Sequence, residues 1–355
     1  MFQWLIKVKP LGFLYGSAGA FLSAENLVGK SGTKFPPDAS VLSGLILRNY
    51  QEGRDVSSED IKEFRLKLTV AGAFWAKDED LENGYQDFYV PIPRSRTIGD
   101  KESAEWEIRN HEWCREQKDL QADFSWQKIS YWDDSVNLIQ RDGVAKTPWK
   151  FNPFLHPQLQ QEQRHVLVQD GLFLENAVQM SEDTCLVYLS THEIPNGWYR
   201  FGGESHIVEI SSQALKSDLT DLLNKPIKKS FALICPAVWG SNNLSKRYPP
   251  EFKTSSKYPQ MLTDRPVPFR YRLGKGDRKN SSVLGVGRYA VPAGTVYVLK
   301  HDLNKTWWEF PNEWFPQSKG QPSSSQDISP KQWQDTLLKQ LGCGLCLPIT
   351  INGVD

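Results

Sequence analysis

The chain has 355 residues, more than one typical domain holds, so two units are expected. Lys+Arg and Asp+Glu are equal at 42 each, which excludes a nucleic-acid footprint written in net charge; any basic surface has to be local. Five scattered cysteines argue against a disulfide framework and fit a reducing cytosol, so a cytoplasmic location is expected, and no apolar run reaches the roughly 18 residues of a membrane span.

In chain order, residues 2–9 read as a strand with imperfect alternation, ended by Pro10. Residues 11–21 carry Gly12, Gly16 and Gly19. Such a loop lets backbone N–H groups approach an anion, and Phe13 and Tyr15 can present rings. No Gly-Lys-Ser/Thr closes it, so it is not a phosphate loop, and a plain glycine-rich turn is the alternative reading. Pro36 and Pro37 stop the extended chain. Asp38 or Ser40 then caps a helix at 41–50, with Val41, Leu42, Leu45 and Ile46 at helical spacing. Ser57, Ser58, Glu59 and Asp60 start a second, short helix. Residues 64–75 set Leu66, Leu68 and Val70 against Arg65, Lys67 and Thr69 and are expected as a strand; 87–93 form another.

Residues 98–165 look irregular and read as an insertion, ending in an aromatic knot around Trp149, Phe151 and Phe154. Strands resume at 165–171 and 184–190. Two more, at 198–201 and 206–210, flank the corner Gly202-Gly203-Glu204-Ser205. Residues 213–229 are polar and partly helical and read as a linker. The second half opens on a strand at 230–237 and closes on a helix at 330–341 and a strand at 343–351. Ser/Gln/Pro-rich residues 317–329 read as a flexible loop. Within that half, residues 284–300 form a glycine-hinged loop running into a strand, with Arg288 placed between Gly287 and the Pro292/Gly294 turn to reach a ligand. Arg270, Arg272, Lys275, Arg278 and Lys279 lie just upstream. The element count fits an α+β fold of two ferredoxin-like β-α-β-β-α-β units, 1–212 with the insertion and 230–355.

Catalytic signatures are lacking. There is no Gly-x-Ser-x-Gly elbow, and the six histidines show no metal-binding spacing. Cys343 and Cys346 have no second pair to complete a zinc site and read as small buried residues. His206, beside two glycines and Glu204, suits acid–base chemistry, a contact to RNA or a plain tight turn. No enzyme, metal or cofactor is expected.

Several of these stretches, in order, resemble the RAMP superfamily of CRISPR effector subunits, and more narrowly the third subunit of the type III-B (Cmr) complex, related to the Cas-five group. They are residues 10–21 with 36–44, 165–174, 185–189, Phe201 to Glu204, 233–237, 288–298 and the closing turn 341–345. The first loop departs from the family: Tyr15-Gly16-Ser17 stands where Arg-Asp-Gly is common. The related Cas-five-like subunit of type III-D complexes is the alternative. The resemblance implies two ferredoxin-like (RRM-like) domains and a non-catalytic role. That role is to hold the 5′ handle of the CRISPR RNA and to dock the large polymerase-like subunit and a backbone RAMP subunit. The residues expected at the RNA are Lys9, Phe13, Tyr15, Gly16, Ser17, Ser40, Arg48, Gly202, Gly203, Glu204, His206, Lys275, Arg278, Lys279, Gly287 and Arg288. Two other readings stand beside it: a guide-maturing endoribonuclease with His206 as base, and a protein-only scaffold whose interface is the 98–165 insertion.

Overall fold

The computed structural model describes residues 1–15, 35–52, 55–82, 84–157, 165–166, 172–202, 205–241, 244–253, 258–270, 287–316 and 337–354. The protein is α+β, mostly antiparallel strands with few helices. In the first half these are β1 (Trp4–Pro10), α1 (Ala39–Gln51), α2 (Ser58–Lys67), β2 (Val70–Lys77), β3 (Tyr89–Pro91), β4 (Trp126–Lys128), β5 (Val144–Ala145), β6 (Trp149–Pro157), β7 (Leu172–Met180), β8 (Thr184–Ser190), β9 (Gly197–Phe201) and β10 (His206–Ala214). Then follow α3 (Ser217–Leu223), β11 (Ser230–Leu233), β12 (Gln260–Leu262), β13 (Val267–Phe269), β14 (Arg288–Ala290), β15 (Val296–Val298), α4 (Leu337–Gln340) and β16 (Cys346–Pro348).

The first sheet has eight strands in the order β5-β4-β3-β2-β8-β1-β10-β9. Its centre, β2-β8-β1-β10, has the antiparallel order 2-3-1-4 that a β-α-β-β-α-β unit requires. The crossover from β1 to β2 carries α1 and α2. The crossover from β8 to β10 carries the strand β9, with no helix among its described residues. The second sheet, β12-β15-β11-β16, repeats the 2-3-1-4 order. Its crossovers hold short 3₁₀ turns at Pro250–Phe252, Trp307–Glu309 and Asn312–Trp314, and the four-residue α4.

One core joins the two sheets. Phe2, Leu5, Val187 and Leu189 pack in the same cluster as Phe231, Leu233, Tyr297 and Leu347. On the other face of the first sheet, Ile6, Val8, Leu186, Tyr188, Val208 and Ile210 meet Ala39, Leu42 and Ile46 of α1. Because β1 is covered on both faces, Leu5, Ile6 and Val8 are all buried, and this is why its polarity alternates imperfectly.

Four expectations are corrected. Residues 64–67 belong to α2, and the strand begins at Val70. A capping box between Ser57 and Asp60 starts that helix, and Lys67 sits 2.6 Å from Glu63 one turn back, so the apparent alternation was a helical pattern. The segment 98–165, expected to be irregular, carries ordered strands: β4 and β5 extend the main sheet, and Ile108, Ile129 and Trp132 lie in the shared core. Residues 213–229 are no free linker. They continue β10 and then form α3, with Leu219, Leu223 and Ile227 buried in that core. The strand expected at 230–237 ends at Leu233, where the chain turns to pack Ala237 against Val291. The loop expected at 317–329, most of the helix at 330–341 and most of the strand at 165–171 lie outside the described residues. No helix among the described residues is long and apolar enough to cross a membrane.

Candidate nucleic-acid interface

Pairing of β1 with β10 brings together two stretches nearly 200 residues apart. Pro10 lies opposite Val208, and the Leu11 N–H donates to the Ile207 carbonyl at 3.2 Å. The first loop therefore starts beside the corner that joins β9 to β10. At that corner Gly202 has φ +77°, and a Cβ there would meet nothing within 4 Å, so its backbone is open to close approach. His206 is half-buried at the start of β10, opposite Phe201.

On the same sheet end, alternation along β9 turns Trp198 and Arg200 outward and Phe201 inward. Trp198 is 75% exposed and Ile207 46%. The register sets Trp198 and Lys9 on either side of Glu209, and Arg200 opposite Ile207. An exposed indole, a nearby guanidinium and an open glycine corner are what a splayed base and its phosphate need. Sequence reasoning missed Trp198 and Arg200. Their signal was the period-2 pattern Trp198-Tyr199-Arg200-Phe201 before a glycine corner.

Lys9 is held, not free. It and Lys7 both bond Asp78, Lys7 at 2.7 Å. Burial pushes Asp78 up, but the bonds and charges of the two lysines outweigh it and hold its carboxyl below the ordinary 3.8. Lys7 is the mirror case: burial pulls it down, and Asp78 outweighs that and raises it. The lowered Asp78 contributes stability that is present above pH 3.8 and lost as pH falls through its folded value. Raised Lys7 contributes stability that is complete below pH 10.5 and lost above. Asp78→Asn is therefore expected to destabilise at pH 7 and to match the parent more closely near pH 3, measured by urea unfolding at both.

The remaining expected contacts divide. Phe13 is 40% exposed, with its ring edge-on to Phe154 at 5.2 Å. The Tyr15 backbone pairs with Ala177 of β7. Ser40 lies in the first turn of α1. Arg48, in its last turn, is tied to Glu52 at 2.7 Å. Gly16, Ser17, Gly203, Glu204, Lys275, Arg278 and Lys279, and the Tyr15 side chain, lie outside the described residues. Gly287 is exposed, but Arg288 is only 4% exposed, a correction to its reading as an outward cation. β14 pairs with β13, Arg288 opposite Phe269, and this register turns Tyr289 out, 55% exposed, and Arg288 in.

No family model matches the sequence, and no curated protein matches it. Solved structures do. A chain of the type III-B Cmr-beta complex bound to cognate target RNA and AMPPnP is 12% identical, with 83% of this chain and 86% of that chain covered and a TM-score of 0.49. The chain is structurally similar to chains of type III CRISPR complexes. A chain of the Csm1–Csm4 cassette in complex with pppApA is 12% identical over 85% of this chain and 88% of its own, with a TM-score of 0.36. A chain of the Csm3–Csm4 subcomplex in the type III-A CRISPR-Cas interference complex is 9% identical over 85% and 94%, with a TM-score of 0.37. At such identities and TM-scores below 0.5, what the chain does rests on its own residues.

Proposed function

We propose that the chain is a non-catalytic, RNA-binding structural subunit of a type III CRISPR effector complex, of the RAMP superfamily, with ferredoxin-like units built on its two 2-3-1-4 sheets. It holds the 5′ handle of the CRISPR RNA and docks the large polymerase-like subunit and a backbone RAMP subunit, in antiviral defence. One observation carries the reading: β1–β10 pairing joins the first loop to the Gly202 corner beside Trp198 and Arg200. The ordered resemblance along the sequence supports it. A tagged copy expressed with its sibling subunits should bring down both those subunits and a short RNA; recovery of neither overturns the proposal. Specific, metal-independent cleavage of repeat RNA that is lost in His206→Ala would make the chain a nuclease instead.

Contacts at the Trp198 face are separable. Trp198→Ala should weaken binding of single-stranded RNA by about tenfold or more, the scale of one lost base–ring stack. Arg200→Gln should lower the slope of log affinity against log salt by about one. Filter binding over a salt series reads both, and unchanged affinity and slope would remove this face from the RNA path.

A further inference from the structure

A cleft of about 420 Å³ opens where the segment leading into β11 meets the chain leaving β16. Lys225, Lys228 and Lys229 line it, together with Asp133 and Asp302. Asp133 is taken by Lys225 at 2.8 Å. Neither Lys228 nor Lys229 has an ion pair among the described residues, so the lining holds two further lysines against one remaining carboxylate. Counted over its described residues, the lining of the cleft is thus net positive. Pro226, Pro348 and Ile349 give it apolar walls, which screen the charge less than open water does. Thr350, exposed at the rim, offers a hydroxyl, whereas that of Ser230 is committed to the Ile349 carbonyl at 2.5 Å. None of these residues belongs to the Trp198 face.

We propose that this cleft is a second binding site, for the phosphate of a nucleotide whose base or sugar packs on the apolar wall. Lysines supply point charges to the phosphate, and the proline and isoleucine surfaces take the ring. The nucleotide is either free or one unit of an RNA strand, and the two share this chemistry. The proposal does not rest on the function argued above.

The test uses the full chain with two probes, ATP and a single-stranded RNA decamer, titrated calorimetrically. Lys228→Gln/Lys229→Gln leaves intact the backbone bonds these residues accept from Leu303 and Leu299, and a thermal melt confirms its fold. At least one probe should bind the parent and bind the double variant about tenfold more weakly, the loss expected for a charged hydrogen bond. Asp302→Asn, which removes the unpaired carboxylate, should tighten the same probe by a few fold. A change for ATP alone assigns the site to a free nucleotide, and a change for RNA alone to a strand. If neither probe binds the parent, or the double variant binds both as well as the parent does, the proposal is wrong. An RNA effect of Trp198→Ala is read separately, so failure of the cleft leaves the RNA face standing, and the reverse.

Discussion

Gly342→Ala should cost about 2–5 kcal/mol of stability, the sum of left-handed strain of about 1–2 kcal/mol and overpacking of about 1–3 kcal/mol. Gly342 follows α4 and has φ +72°, a conformation that disfavours any side chain. A Cβ there would stand 2.6 Å from both Cα and Cβ of Ala71, and 3.1 Å from the Val70 carbonyl oxygen. Those atoms belong to β2, an interior strand of the first sheet, so relief requires the backbones of the two halves to part. Gly12→Ala is the control, since a Cβ at Gly12 meets nothing within 4 Å. Pairing Gly342→Ala with Ala71→Gly should not restore the parent, because the Ala71 Cα is itself in the way. Urea unfolding measures all three. A Gly342→Ala cost as small as that of Gly12→Ala would mean that the two sheets do not interlock here.

Trp132→Ala should cost about 3–5 kcal/mol, as large core deletions do. The indole is 1% exposed, and its N–H donates to the Pro348 carbonyl at 2.7 Å, tying the 98–165 segment to the last strand of the second sheet. Arg96 lies 5.9 Å from the ring centroid and donates to the Trp132 carbonyl at 3.0 Å. Trp132→Phe keeps most of the volume and loses the hydrogen bond, so it should cost about 1–3 kcal/mol, the penalty of an unsatisfied buried acceptor. The same urea series reads both; equal, small costs would detach the segment from the core. This packing bears on the scaffold reading, because deleting 98–165 removes β4, β5 and β6 and part of the core, and loss of assembly would then report unfolding.

Much of the framework was legible before folding. The runs read at 2–9, 184–190, 206–210 and 230–237 overlap the strands at 4–10, 184–190, 206–214 and 230–233 because they are rich in β-formers. Two helix starts were legible from Asp38 and Ser57. The 64–75 segment misled because charged and apolar residues alternate over a few positions in an exposed helix much as they do in a strand. Most of the 98–165 segment looked irregular because its strands before Trp149 are only two or three residues long, too short to show a period.

What the amino-acid order determined by itself was local: where strands and caps fall and where glycine frees the backbone. What tertiary structure decided was which of these places meet. Trp198 faces outward beside the Gly202 corner and the first loop, and Arg288 is turned inward, because strand register sets the face of every side chain. Register across separations of nearly 200 residues is chosen by burial of a shared core, which no short window of sequence contains.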